Sequence, residues 1–190
     1  MEFVKDAEVR DLLKDYGIVE ILETEDLSRL SMEGLDEVSI LQIEAEGSEA
    51  STDTGAEMLT VDAALVADCI ERVFHRLHLY ELILIPMSKW RNVFDAVAFS
   101  LASNEDWQEF DHFATVELNA RDPLFCEAAD FQLLSSLIRA LLADGEDSTH
   151  GMVIVATGAP VMVEVLPPGG IRVSTGNQGL NDSIREAYAS

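Results

Sequence analysis

The chain has 190 residues, with 36 acidic side chains against 12 basic ones and a formal charge of −24. A hydrophobic share of 48% is enough for a true core, so the acidity does not mark a disordered tail, and the length excludes a small disulfide-stapled scaffold. So few Lys and Arg exclude a general nucleic-acid binder, whose phosphate contacts need basic clusters.

The charge is uneven. Residues 1–59 carry a net of −13, residues 60–119 a net of −6 and residues 120–190 a net of −5. Nine of the bases are arginine; only Lys5, Lys14 and Lys89 are lysine. Two physical readings fit this pattern. Hydrated carboxylates with few lysines suit a saline cytosol, where their repulsion is screened, and they equally suit a surface that meets a basic partner.

The start, Met1-Glu2-Phe3-Val4-Lys5-Asp6, lacks the basic and then apolar regions of a signal peptide, and no run approaches the roughly 18 apolar residues of a membrane span. A cytoplasmic protein with no membrane contact is expected. Cys69 and Cys126 lie in helical patterns among apolar neighbours, which reads as two inert core thiols.

In chain order, the spacing of Phe3, Ala7, Val9, Leu12, Leu13 and Tyr16 predicts a helix over residues 2–15, stopped by Gly17. Residues 18–22 read as a short strand and residues 26–35 as one or two helical turns. Residues 38–44 alternate as a strand, with Val38, Ile40 and Gln42 on one face and Leu41 and Ile43 more exposed or doubly covered. The segment from Gly47 to Gly55 is small, polar and turn-rich, so residues 47–59 are expected as a mobile loop after an acidic subregion 1–46. The whole of 1–190 is expected to be one domain.

Thr60 reads as the N-cap of a long helix to about Leu79, and Leu82–Ile85 as a buried strand. Ser88 then caps a helix carrying the stripe Trp90, Val93, Phe94, Val97, Ala98 and Leu101. Residues 104–112 read as a loop and residues 113–118 as a strand. Asp122-Pro123 is a helix-start signal for a segment burying Phe125, Ala128, Phe131, Leu134, Ile138 and Leu141, and stopping at Gly145.

Three strands follow, at 152–157, 161–166 and 171–175, with connections too short for crossovers, hence an antiparallel meander. A consistently apolar face for Val161, Val163, Val165, Ile171 and Val173 pairs Val165 with Ile171 and sets Glu164 opposite Arg172 on the outer face. Because Pro168 disfavours a three-residue loop, a five-residue loop from Leu166 to Gly170 is expected. A short helix over 181–189 ends the chain. The fold class is therefore α+β: a mixed or mainly antiparallel sheet with helices largely on one face, ending in a three-stranded meander and a short C-terminal helix.

Three constellations bear on chemistry. Glu71, His75 and His78 share a narrow arc of one helix, which has the form of a weak metal-binding face but equally of a solvated i,i+4 pair. Residues 104–112 hold four carboxylates with Trp107, Phe110, Asp111 and His112. A patch anchored by Trp107 is the better functional reading there, ahead of acid–base catalysis. Residues 174–179 resemble an anion cradle but lack the lysine and spacing of a phosphate loop. No local catalytic signature is present, and no cofactor is expected.

The leading expectation is a small acidic protein acting by protein–protein contact, as an adaptor, a client-specific chaperone or an inhibitor of a basic partner. An enzyme or small-ligand binder with a non-local site is the alternative. A structural homo-oligomer subunit is a third, and would expose an apolar patch at Met162 and Leu166.

Overall fold

The computed structural model describes residues 1–48, 55–115 and 121–189. Its frame is an eight-stranded sheet built from β1 (Glu2–Phe3), β4 (Ser39–Ala45), β5 (Glu57–Val61), β6 (Glu81–Pro86), β7 (Leu124–Glu127), β8 (Met152–Ala156), β9 (Val161–Leu166) and β10 (Gly170–Thr175). The spatial order is β1-β7-β6-β8-β9-β10-β4-β5, and every pairing is antiparallel except that of β4 with β5. A separate hairpin joins β2 (Ile18–Thr24) to β3 (Leu27–Met32). This is an α+β fold with a mixed sheet.

Period-2 alternation gives the sheet two distinct faces. Leu41, Ile43, Leu82, Leu84, Ile154, Val163, Val165, Ile171 and Val173 point to the face covered by α2 (Ala63–Ala67), the π-helical turn Ile70–His75, α3 (Trp90–Val97), α4 (Glu105–Ala114), α5 (Phe131–Asp144) and α6 (Gln178–Ala189). Ile83, Val153, Val155 and Met162 point the other way, against Val9 of α1 (Asp6–Asp15) and Ile18, Leu30 and Met32 of the hairpin.

The meander register is as the pattern predicts: Val165 pairs with Ile171, and Glu164 with Arg172. Its second loop is shorter than expected, however. Leu166 pairs with Gly170, so only Pro167, Pro168 and Gly169 turn the chain, with Gly169 at φ +72. The Glu164 face is also not open to solvent, because the hairpin covers it.

Several sequence expectations are corrected. The first helix begins at Asp6, since Glu2 and Phe3 pair with Phe125 and Leu124. Residues 27–32 form a strand, not helical turns: Ser28, Leu30 and Met32 are buried at alternate positions. On β4, Leu41 and Ile43 are the core residues, while Gln42 and Glu44 line the opposite face. Thr60 belongs to β5, and the helix cap is Asp62, whose carboxylate accepts from the Ala64 N–H at 2.8 Å. That helix then passes into a π-helical turn, so its Leu65-to-Leu77 stripe still faces the core.

Lys89, not Ser88, is the N-cap position of α3, and the Ser88 hydroxyl accepts from Asn92 Nδ2 instead. Ala98 lies exposed beyond that helix. Residues 105–114 are helix α4 rather than a loop, and this takes Phe113 out of the strand expected there; residues 116–118 lie outside the described residues. Asp122-Pro123 opens β7 rather than a helix. Leu124 and Cys126 fill the helix-side core, Phe125 turns to the other face, and the helix starts only after a capping box between Glu127 and Asp130. Residues 49–54 of the expected loop lie outside the described residues.

Candidate functional site

The hairpin stands with β3 inward and β2 outward. All of β2 beyond Ile18 is exposed, including Val19, Ile21 and Leu22, whereas β3 alternates into the core. Three ties fasten the hairpin. The Ser28 N–H donates to the Met87 carbonyl at 3.0 Å, and Lys89 Nζ lies 2.7 Å from Asp26 Oδ1. Arg121 donates to the Ser28 hydroxyl and lies 3.7 Å from Glu20. Lys89 holds the Asp26 carboxyl below the usual carboxylate range, by hydrogen bond first and charge second.

Beside the hairpin runs a groove of about 860 Å³. Glu23 and Arg29 of the hairpin, Gln42 and Glu44 of β4, Arg172 of β10, and Glu146 and Asp147 after α5 all reach it. Four carboxylates thus meet two guanidiniums. Gln42 and Glu44 are both buried there, and Gln42 Nε2 donates to Glu44 Oε1 at 3.2 Å. Asp147 caps the short 3-10 turn Ser148–His150, accepting from the Thr149 N–H at 2.9 Å and its hydroxyl at 2.8 Å. Those two donors hold its carboxyl below the usual range, with His150, 3.9 Å away, adding to the effect.

A narrower cleft of about 210 Å³ shares Glu23, Arg29 and Arg172 with the groove and adds Glu164 and Ser174. A further cleft of about 460 Å³ lies between the hairpin and α1, where Arg10 pairs with Asp6 at 2.5 Å.

The residues singled out from sequence are placed elsewhere. Trp107 and Phe110 are buried on α4, with their rings 5.0 and 5.7 Å from that of Phe94, so their apolar surface is spent inside the chain's own core. Asp111 is half-buried and His112 exposed on the same helix. Glu71 Oε1 lies 3.1 Å from His75 Nδ1, but His78, at φ +57, turns its Nδ1 to the Tyr80 hydroxyl at 3.1 Å. The three side chains therefore do not converge on one point. Among the described residues no group of three or more His, Cys, Asp or Glu is placed to hold a metal ion.

At 174–179 the backbone turns into α6, and Asn177 Oδ1 caps it by accepting from the Leu180 N–H. Met162 is buried under the hairpin rather than exposed on the meander. Cys126 sits on a strand, not a helix; burial pushes both thiols, Cys69 and Cys126, up to about 12.

Sequence reasoning missed the groove because five separate segments build it. The one signal legible nearby was the Glu164–Arg172 register, which brings Arg172 to the groove and Glu164 to the narrower cleft. The site belongs to an α+β protein in which a hairpin packs over one sheet face, with the polar groove at its side. Comparison of the chain with protein-family models, curated proteins and solved structures gives no match. No helix among the described residues is long and apolar enough to cross a membrane.

Proposed function

We propose that the protein acts by contact with a basic partner protein, and that the groove beside the hairpin receives it. The observation that carries this reading is the lining: Glu23, Glu44, Glu146 and Asp147 against Arg29 and Arg172. A concave site with excess carboxylate focuses the field of a −24 chain on one place, which speeds encounter and rejects acidic competitors. Held below the usual carboxylate range, Asp147 stays ionised further into acid than a free aspartate. The exposed edge of β2, rich in Glu and aliphatic side chains, extends the contact surface beyond the groove. Adaptor, chaperone and inhibitor roles share this contact. The two buried, unbridged thiols support a cytoplasmic setting for it.

The test is capture from native lysate at about 0.15 M salt, where charges are screened beyond roughly 8 Å, with stepwise elution by salt. One arm uses a groove variant, Glu146→Lys with Asp147→Lys. The other uses a matched variant on α4, Glu105→Lys with Glu109→Lys. A stoichiometric basic protein retained by the wild type and the α4 variant, but lost from the groove variant, is expected. Equal retention by all three would sink the groove as the contact site.

A further inference from the structure

The cleft of about 210 Å³ between the hairpin and the sheet differs in kind from the rest of this surface. Two ion pairs from separate elements line it. Glu23 and Arg29, 3.7 Å apart, come from the hairpin, and Glu164 and Arg172, also 3.7 Å apart, come from the meander. Two acids and two bases leave it locally neutral in a chain carrying −24. Ser174, itself buried, adds a hydroxyl. Apart from Ser31, the remaining wall is apolar: Ile21, Leu30, Met32, Ile40 and Met162.

We propose that this cleft binds a small zwitterion with an aliphatic substituent, of the size and chemistry of a free branched or thioether amino acid. The physical match has three parts. Arg29 comes from the hairpin and Arg172 from the meander, and a guanidinium has five N–H donors, so each serves an acidic neighbour and a ligand carboxylate together. Glu23 and Glu164 accept from an ammonium. The three aliphatic and two thioether side chains bury the substituent, and methionine adapts to its shape. Size sets the upper limit, because the cleft lies below the roughly 300–1,000 Å³ of sites for drug-sized ligands. A net anion or cation of that size would add an unbalanced charge to the neutral cleft, at the usual cost of desolvated charge.

This site needs no partner protein, so it is tested on the purified full chain. L-Leucine, L-methionine, glycine, N-acetyl-L-leucine and L-leucine amide are each added at up to about 10 mM, tenfold above a millimolar Kd, and read by thermal unfolding and calorimetry. Methyl signals of Met32 and Met162 report the location. L-Leucine or L-methionine is expected to raise the midpoint with concentration and to shift both methyls. The acetylated and amidated forms, lacking the ammonium or the carboxylate charge, bind at least about tenfold more weakly, as does glycine.

Arg172→Met risks the fold, so the deciding variant is Arg29→Gln, on the half-exposed hairpin pair. It is expected to melt like the wild type without ligand and to bind L-leucine at least about tenfold more weakly. Three results would overturn the proposal: no response to either aliphatic amino acid, N-acetyl-L-leucine or the amide binding as well as L-leucine, or unchanged L-leucine binding by Arg29→Gln. Binding by the acetylated form alone would assign the cleft to the carboxyl terminus of a peptide instead.

Discussion

Glu164 and Arg172 stand directly opposite on β9 and β10, 3.7 Å apart, with the carboxylate 3% and the guanidinium 15% exposed. On an open sheet such a cross-strand pair contributes about 0.2–1 kcal/mol. Roofed by the hairpin, it obeys different arithmetic. Removing one partner leaves the other charge desolvated, so Arg172→Met is expected to lose about 3–5 kcal/mol of stability in urea unfolding. The double change Glu164→Met with Arg172→Met is expected to recover much of that loss, since neither member of the pair is left charged. A loss under about 1 kcal/mol in the single variant would mean that the pair is solvated in solution.

Helix α4 rests on one cap and three buried positions. Asn104 Oδ1 accepts from the Trp107 N–H at 2.9 Å, and Trp107, Phe110 and Ala114 turn inward. Asn104→Ala is expected to cost about 1 kcal/mol, and Trp107→Ala about 3–5 kcal/mol through the cavity left beside Phe94. If Trp107 anchored a partner rather than the core, Trp107→Ala would leave the unfolding midpoint unchanged.

That helix shows why parts of the fold were legible and others not. The meander was readable because both strands alternate cleanly and short loops allow few registers. Leu134, Ile138 and Leu141 likewise announced α5, with about four turns to repeat the pattern. In α4 the Trp107–Phe110–Ala114 spacing was present, but Glu105, Asp106, Glu109 and Asp111 made the segment look like a solvated loop. In β7 only four residues were available, too few to outweigh the start signal of Asp122-Pro123. The outer strand β2 was legible over residues 18–22, but the hairpin was not, because its partner β3 read as helical turns ahead of Gly34. The groove was hidden for a deeper reason: Glu23, Glu44, Glu146 and Arg172 meet only through tertiary pairing, which no local period encodes.

Asp147 gives a pH signature. The Thr149 N–H and hydroxyl favour its ionised form, so its folded-state pKa lies below the unfolded value. Its contribution to stability is therefore complete above the unfolded pKa and fades as pH falls through the depressed folded one. Thr149→Ala removes the hydroxyl but keeps the larger backbone contribution. The Asp147 carboxyl, followed by NMR, is expected to titrate higher in that variant than in the wild type, yet still below an unperturbed aspartate near about 3.9. An unmoved titration would show that the hydroxyl bond is not formed in solution.

Gly17 joins α1 to the hairpin at φ +63, and its N–H donates to the Lys14 carbonyl at 2.9 Å. The Glu33 N–H returns to the Gly17 carbonyl, which brings the two chains so close that an added Cβ would lie 2.2 Å from the Glu33 oxygen. Both the left-handed backbone and the contact oppose any side chain here. Gly17→Ala is expected to destabilise by well over about 1 kcal/mol. Because the strain falls where the hairpin root meets the body, hydrogen exchange should rise first at Ile18 and Met32, which pair across that root. Faster exchange in β8 and β9 before the hairpin would contradict a local effect and mean that the hairpin and the central sheet open together.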